Sequence, residues 1–341
     1  MSSIFYSYDK ILSYNALISI VLGNRGCGKS FGAKCMVLKN FLKTGEQFIY
    51  LRRYKTELDS ALATFWDDLQ AHGYFEDNEL KVKKSKMLTT FTCDGEVCGY
   101  AVPLSTANIL KSTSFPKVKY IIYDEFVLDT SAGSYKYLRR EPEILLDIYE
   151  TVFRLSDKGR LIMLGNIINF FGCPFIGYWN LDLPYNSDIR TFKDGAIVVQ
   201  TIINPEYQDV KSKTRFGRLV EGTVYGDYLI KNKSLRENNA FIGKRPAKST
   251  FYAWLVLNGN NFGVWLGVDG YLYISEKYDP SSVRRYACDF DDHTEQTIFL
   301  NMRENYYLKY CLKAYKQGWL KFENQKIKAE IVNLFNKCIS L

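Results

Sequence analysis

The chain has 341 residues, enough for more than one domain, and 47% of them are hydrophobic, enough for well-packed cores. A formal charge of +8 at pH 7 makes a polyanionic partner a candidate, although solubility alone explains such a bias equally well. Asp9 and Lys10 interrupt the place where an export signal would be apolar, and no apolar run approaches the roughly 18 residues of a membrane span. The expectation is a soluble protein with no membrane partner. Eight cysteines scattered from Cys27 to Cys338 predict reduced thiols. Cys93 and Cys98 would make half a zinc knuckle, but with His72 and His293 the only histidines no second pair is suitably spaced.

In chain order, Leu17 to Leu22 reads as a buried strand, followed by Gly23-Asn24-Arg25-Gly26-Cys27-Gly28-Lys29-Ser30 and a helix over 31–43. The octet fits G-x-x-x-x-G-K-[ST], the phosphate-binding P-loop, in its required strand–helix context. Its backbone N–H groups converge on a β-phosphate at the positive end of the helix dipole. Lys29 would reach the β- and γ-phosphates, and the Ser30 hydroxyl would hold Mg²⁺. A second buried strand is predicted over 47–51, ending at Arg52 and Arg53, and then one helix over 56–72. Segments 87–93 and 97–102, joined by Asp94-Gly95-Glu96, predict a hairpin on the edge of the nucleotide fold.

Lys119 to Tyr123 predicts a hydrophobic strand that ends in Asp124 and Glu125. Ligands of open parallel sheets bind at the carboxyl ends of strands, so both acids point at the crevice where the P-loop opens. Asp124 fits the Walker B role on Mg²⁺, and Glu125 fits the base that polarises an attacking water. A helix over 142–153, a strand over 160–166 and a further strand near 196–203 continue the alternation, which predicts a doubly wound α/β sheet. Asn166 ends its strand where it could sense a γ-phosphate or simply make a turn.

From residue 204 to 245 there are nine Lys or Arg against five Asp or Glu, with Lys211, Lys213, Arg215 and Arg218 close together. This reads as a linker or small connecting subdomain over 204–246, following a first domain over 1–203 and preceding a second over 247–341. The second domain opens as a meander of strands over 251–257, 262–268 and 271–275, with helices over 294–317 and 325–339.

Several strings together resemble the DNA-packaging ATPases of phi29-like small tailed phages, relatives of the large terminase motors. They are ILSYNALISIVLGNRGCGKSFGAK, GEQFIYLRRYK, YIIYDEF, TVFR at 151–154, KTRFGRLVEGTVYG, GVW at 263–265 and FENQKI, spread over nearly the whole chain. The resemblance implies a P-loop ATPase of the ASCE type with a mainly parallel sheet, using ATP and Mg²⁺, and a C-terminal α+β domain of RNase H-like, vestigial nuclease form. It further implies a ring, likened to a pentamer, on the portal vertex of a procapsid in the host cytoplasm, translocating double-stranded DNA. Members of the best-known kind also engage a packaging RNA. By match, Arg154 resembles the family's trans-acting arginine finger, and Lys111 in Leu-Lys-Ser resembles a basic lid residue. Nuclease activity is not expected: the strand over 251–257 carries no carboxylate, and Asp289, Asp291, Asp292 and Glu295 cluster on a predicted loop. Two other classes use a P-loop, a small-molecule kinase and a nucleotide-gated scaffold without turnover. The Asp124–Glu125 pair and the basic two-domain layout speak against the kinase, and intact Lys29, Asp124 and Glu125 speak against the scaffold.

Overall fold

The computed structural model describes residues 5–85, 88–128, 136–167, 173–181, 188–202, 204–231, 240–300 and 306–339. The chain forms two compact units, Met1–Phe170 with Leu181–Arg236, and Phe171–Asn180 with Glu237–Leu341.

In the first unit α1 (Asp9–Leu12) precedes β1 (Ile18–Gly23), which is buried along its whole length. The P-loop then enters α2 (Lys29–Thr44), which ends at Gly45 with φ 74°, the left-handed cap that glycine adopts most readily. Next come β2 (Gln47–Arg52), α3 (Lys55–Ala63) and α4 (Asp67–Ala71). The single helix expected over 56–72 is therefore broken. Thr64 leaves helical geometry (φ −130°, ψ 32°), and the non-helical turn that follows it places Phe65 and Trp66 in the core. Phe65 stacks on Phe91 at 4.3 Å, and Trp66 meets Phe91 edge-on at 5.4 Å.

The chain continues through β3 (Leu80–Lys83), β4 (Thr89–Cys93), β5 (Glu96–Pro103), a 3₁₀ segment Leu104–Ser112, β6 (Val118–Asp124), α5 (Glu141–Phe153) and β7 (Arg160–Asn166). The hairpin turns at Asp94 (φ 52°) and Gly95 (φ 85°), as its sequence predicts; Met87, where it was expected to begin, lies outside the described residues. Then follow α6 (Pro174–Tyr178), β8 (Ile189–Phe192) and β9 (Ile197–Thr201). The sheet order is β3-β4-β5-β2-β6-β7-β1-β9-β8. The six strands from β5 to β9 in this order are parallel; β4 and β8 run opposite to them, and β3, antiparallel to β4, shares their direction at its edge. Strand β7 thus lies between the P-loop strand β1 and the acid-bearing β6, which brings three strand ends to one crevice.

Residues 204–231 are three short helices, α7 (Pro205–Lys213), α8 (Arg215–Val220) and α9 (Val224–Lys231). Asn204 caps α7 by accepting from Tyr207 N, and Thr214 caps α8 by accepting from Gly217 N. Gly217 packs so closely that a Cβ there would lie 2.1 Å from the Lys211 carbonyl oxygen. The division differs from the expected boundaries at 203 and 246: these helices belong to the first unit, and Phe171–Asn180 belongs to the second.

In the second unit β10 (Thr250–Leu257), β11 (Asn260–Leu266) and β12 (Leu272–Ser275) form the expected meander. After them come β13 (Arg285–Ala287), β14 (Ile298–Phe299), α10 (Tyr306–Lys316), β15 (Leu320–Phe322) and α11 (Gln325–Ile339), with sheet order β14-β13-β10-β11-β12-β15. Apart from β15 at the far edge, this is the strand order of RNase H-like domains. The helix expected over 294–317 starts later, because Thr297 Oγ1 accepts from Thr294 N and closes a turn before β14. Its stretch 301–305 lies outside the described residues.

Candidate active site

Gly26 and Gly28 have φ 87° and 88°, the left-handed turns by which the loop after β1 curls over the start of α2. A Cβ on Gly28 would lie 2.8 Å from Phe5, so the glycine also admits the N-terminal segment. Lys29 is buried, and its Nζ donates to Gly23 O (3.0 Å), Asn24 O (2.8 Å) and Asn166 Oδ1 (2.9 Å). Burial pulls its pKa below the usual lysine value, opposed by the neighbouring Cys27 and Asp124. The Cys27 thiol is buried beside it, with Sγ 3.6 Å from Nζ.

Asp124 is buried at the end of β6. Its Oδ2 accepts from Ser30 Oγ (2.9 Å), Tyr50 OH (2.8 Å) and Arg52 Nη2 (3.3 Å). Burial, reinforced by Asp124, pushes the Tyr50 hydroxyl well above its ordinary value, so it stays a neutral donor. Glu125 follows in a left-handed conformation with its side chain more than half exposed, and its Oε2 lies 2.5 Å from Arg52 Nη1. Arg53, almost fully buried, forms a two-pronged pair with Glu141 (2.8 and 3.0 Å) and donates to Phe126 O (2.7 Å) and Glu125 O (3.3 Å). Tyr123 OH adds a 2.6 Å bond to Glu141. The turn that carries Glu125 is thereby fixed to β2 and to the first residue of α5.

Of these groups, Lys29, Ser30, Asp124 and Glu125 line one cavity of about 270 Å³, which also takes in Arg25, Gly26, Gly28 and Asn166; Tyr50 and Arg52 line a second cavity that shares Ser30 and Asp124 with it. At one side Phe5 and Phe31 lie 4.6 Å apart, with His72 edge-on to both. Asn24 and Arg25 contact the helices of 204–231 instead: Asn24 Nδ2 donates to Leu229 O (2.8 Å), and Arg25 O accepts from Tyr207 OH (3.1 Å). The donor set fits the implied ligands. Positive-φ glycines and a buried ammonium suit a polyphosphate, and a hydroxyl beside a carboxylate offers the hard oxygens that Mg²⁺ takes.

Arg154 is placed elsewhere. It caps the far end of α5 (φ 48°, ψ −117°), exposed, six residues before β7 begins, whereas the cavity is at the carboxyl ends of the strands. Lys111 belongs to the 3₁₀ segment, and its side chain lies outside the described residues. In the second unit Asp289 caps a short turn and Asp292 accepts from Gly259 N (2.8 Å). Among the described residues no three His, Cys, Asp or Glu groups are grouped to hold a metal ion. Tyr50, Arg52, Arg53, Glu141 and Tyr207 were not among the sequence candidates. Their one signal was Arg52-Arg53 at the carboxyl end of a buried strand.

The model of the podovirus DNA encapsidation protein (Gp16) family matches residues 1–339. The DNA packaging protein of Bacillus phage phi29 is 35% identical over 337 residues, covering 98% of both chains. That of Bacillus phage B103 is 34% identical over 329 residues, covering 96% of this chain and 99% of the relative. The solved bacteriophage phi29 viral genome packaging motor assembly contains a chain that aligns with 98% of this one and over its own full length, at 34% identity and a TM-score of 0.77. A Walker-type crevice in the first unit and a likeness spanning both units agree, and the chain belongs to the podovirus DNA encapsidation protein (Gp16) family.

Proposed function

We propose that this chain is an ATP-driven motor subunit that moves double-stranded DNA into a viral procapsid. The observation that carries this reading is the convergence of Lys29, Ser30, Asp124, Glu125 and Asn166, from three adjacent strand ends, on one cavity beside positive-φ glycines. Lys29 exchanges its bonds to Gly23 O and Asn24 O for β- and γ-phosphate oxygens, and Asn166 moves from Lys29 to the γ-phosphate. Ser30 and Asp124 would hold Mg²⁺, which supplies charge neutralisation on the transferred phosphoryl group. Glu125 leaves Arg52 to take the proton of the attacking water. Phe5 and Phe31 offer flat apolar faces on which the base can rest.

Arg154 sits at the opposite end of the sheet from its own cavity, across a helix of about 20 Å. It therefore acts on a neighbouring subunit's γ-phosphate, which makes a ring the working form. A portal vertex, a packaging RNA and a pentamer remain with this proposal, supported by the likeness to the phi29 packaging motor. The second unit grips nucleic acid or the portal without cleaving DNA, and Lys111 acts as a lid cation.

The test mixes two inactive variants. Arg154→Ala and Glu125→Gln subunits each hydrolyse ATP slowly alone. Mixed rings regain hydrolysis where an intact pocket meets an intact finger, and intermediate ratios do best. No recovery at any ratio contradicts action in trans.

A further inference from the structure

The outer face of the P-loop is covered by the helices that carry the basic patch. Strand β9 lies beside β1, so the chain leaves β9 next to the loop and enters α7 at once. Tyr207, in the first turn of α7, donates to Arg25 O, and its hydroxyl lies against Gly26, where a Cβ would be only 2.6 Å away. From the other side Asn24 Nδ2 donates to Leu229 O (2.8 Å) and Ile230 O (3.4 Å) in the last turn of α9. Asn24 is 4% exposed, and among the described residues its own Oδ1 has no hydrogen-bond partner. A buried amide that satisfies two foreign carbonyls while leaving its own oxygen unpaired is poor packing and a specific tether. These contacts tie the Arg25 carbonyl and the Asn24 side chain of the loop to α7 and α9.

The opposite end of α7 carries Lys211 and Lys213, and α8, capped by Thr214, carries Arg215 and Arg218; Lys213, Arg215 and Arg218 are exposed. Six residues of helix, about 9 Å, separate Tyr207 from Lys213. Gly217 packs against the carbonyls of Lys211 and Ser212, so the first turn of α8 sits directly on the end of α7. We propose that Tyr207 and Asn24 are positioning residues that couple nucleotide to DNA: a shift of the P-loop backbone on binding or losing phosphate is carried through the Arg25–Tyr207 and Asn24–Leu229 bonds to the cations of α7 and α8. This rests on the motor reading, and it takes the cations of α7 and α8 as further contacts to DNA phosphates, beside the grip of the second unit. Coupling of this kind is reciprocal, so a nucleotide that changes DNA affinity by some factor has its own affinity changed by DNA by the same factor.

The experiment measures that factor in the full chain at low salt, using a slowly hydrolysed ATP analogue with Mg²⁺ and a short DNA duplex, each titrated with and without the other. In the wild type the factor is about fivefold or more, the lower end of typical coupling. In Tyr207→Ala each ligand alone binds within about twofold of wild type, yet the factor falls to within about twofold of one. Tyr207→Phe keeps the ring and loses only the hydroxyl, and gives an intermediate factor, so the outcome does not depend on how well the alanine variant folds. Asn24→Ala lowers the factor as well. An unchanged factor in all three variants overturns the coupling role while leaving the motor reading intact, and so does a wild type that binds both ligands without linkage. Failure of the wild type to bind duplex at all overturns the motor reading and this inference with it.

Discussion

Glu125 occupies a left-handed backbone conformation that a side chain as long as glutamate rarely adopts, and Arg53 holds it there by bonding the carbonyls of Glu125 and Phe126. Replacing the base tests its role with little change of shape: Glu125→Gln should bind ATP normally and hydrolyse it roughly 10² to 10⁴ times more slowly, the usual worth of a positioned general base. Nucleotide titration beside steady-state phosphate release reads both halves, and near-normal turnover would remove Glu125 from the chemistry. The Arg53–Glu141 pair is almost fully buried, so Arg53→Met leaves an uncompensated carboxylate inside the first unit. The cost should be about 3–5 kcal/mol, seen as a lowered denaturant midpoint for the first unit. Neither role shows in the sequence, where Arg52 and Arg53 are two cations after a strand. Only the fold reveals that Arg52 faces the acids and Arg53 faces α5.

At the scale of elements, strands β1, β6 and β7 are readable because both faces are buried and their sequences are nearly continuous apolar runs. The split between α3 and α4 is not, since Phe65 and Trp66 favour the break only once Phe91 is beside them. The linker's three helices leave a fainter trace in Asn204, Thr214 and Thr223, whose side chains accept from the backbone three residues on. If Arg215 and Arg218 touch DNA phosphates, neutralising both should weaken binding alike on unrelated sequences and flatten the salt dependence by about 2 log units per log unit. An unchanged slope would put the grip elsewhere.

In the second unit Glu330 of α11 accepts from Asn260 Nδ2 (3.2 Å), while its other oxygen is buried against Gly177 with no partner among the described residues. Burial pushes its pKa up to about 7, against the lowering pull of Lys326 and Asn260. The folded state therefore holds a proton that the unfolded chain releases near pH 4.5. The resulting stabilisation is complete below that value and is lost as pH rises through about 7. Glu330→Gln should flatten this pH dependence and make the second unit more stable than wild type at pH 8, by on the order of 2 kcal/mol. Denaturation across pH 4 to 8 checks the sign, and a variant less stable at pH 8 would contradict it.

At the scale of the whole molecule, the chain is not three consecutive blocks. It leaves the first unit after β7, contributes Phe171–Asn180 to the second, and returns to build β8 and β9 before the helices at 204–231. Sequence order hides such an excursion, because α6 is too short to carry a pattern of its own. The motifs were nonetheless visible, since a P-loop and an acid-ended strand are set by local backbone demands. What the tertiary structure adds is the set of partners: Arg52 on both acids, Tyr207 and Asn24 on the outer face of the loop, and Arg154 far from its own cavity. Together they support the proposed reading, a site that would hydrolyse ATP in response to DNA and to a neighbour. The direct measurement is phosphate release from ATP by the assembled wild-type chain, with and without double-stranded DNA, alongside Glu125→Gln. DNA should raise the release of inorganic phosphate in the wild type and not in the variant, with no phosphorylated small molecule formed. Release indifferent to DNA, or phosphate recovered on an acceptor other than water, would contradict a DNA-coupled motor.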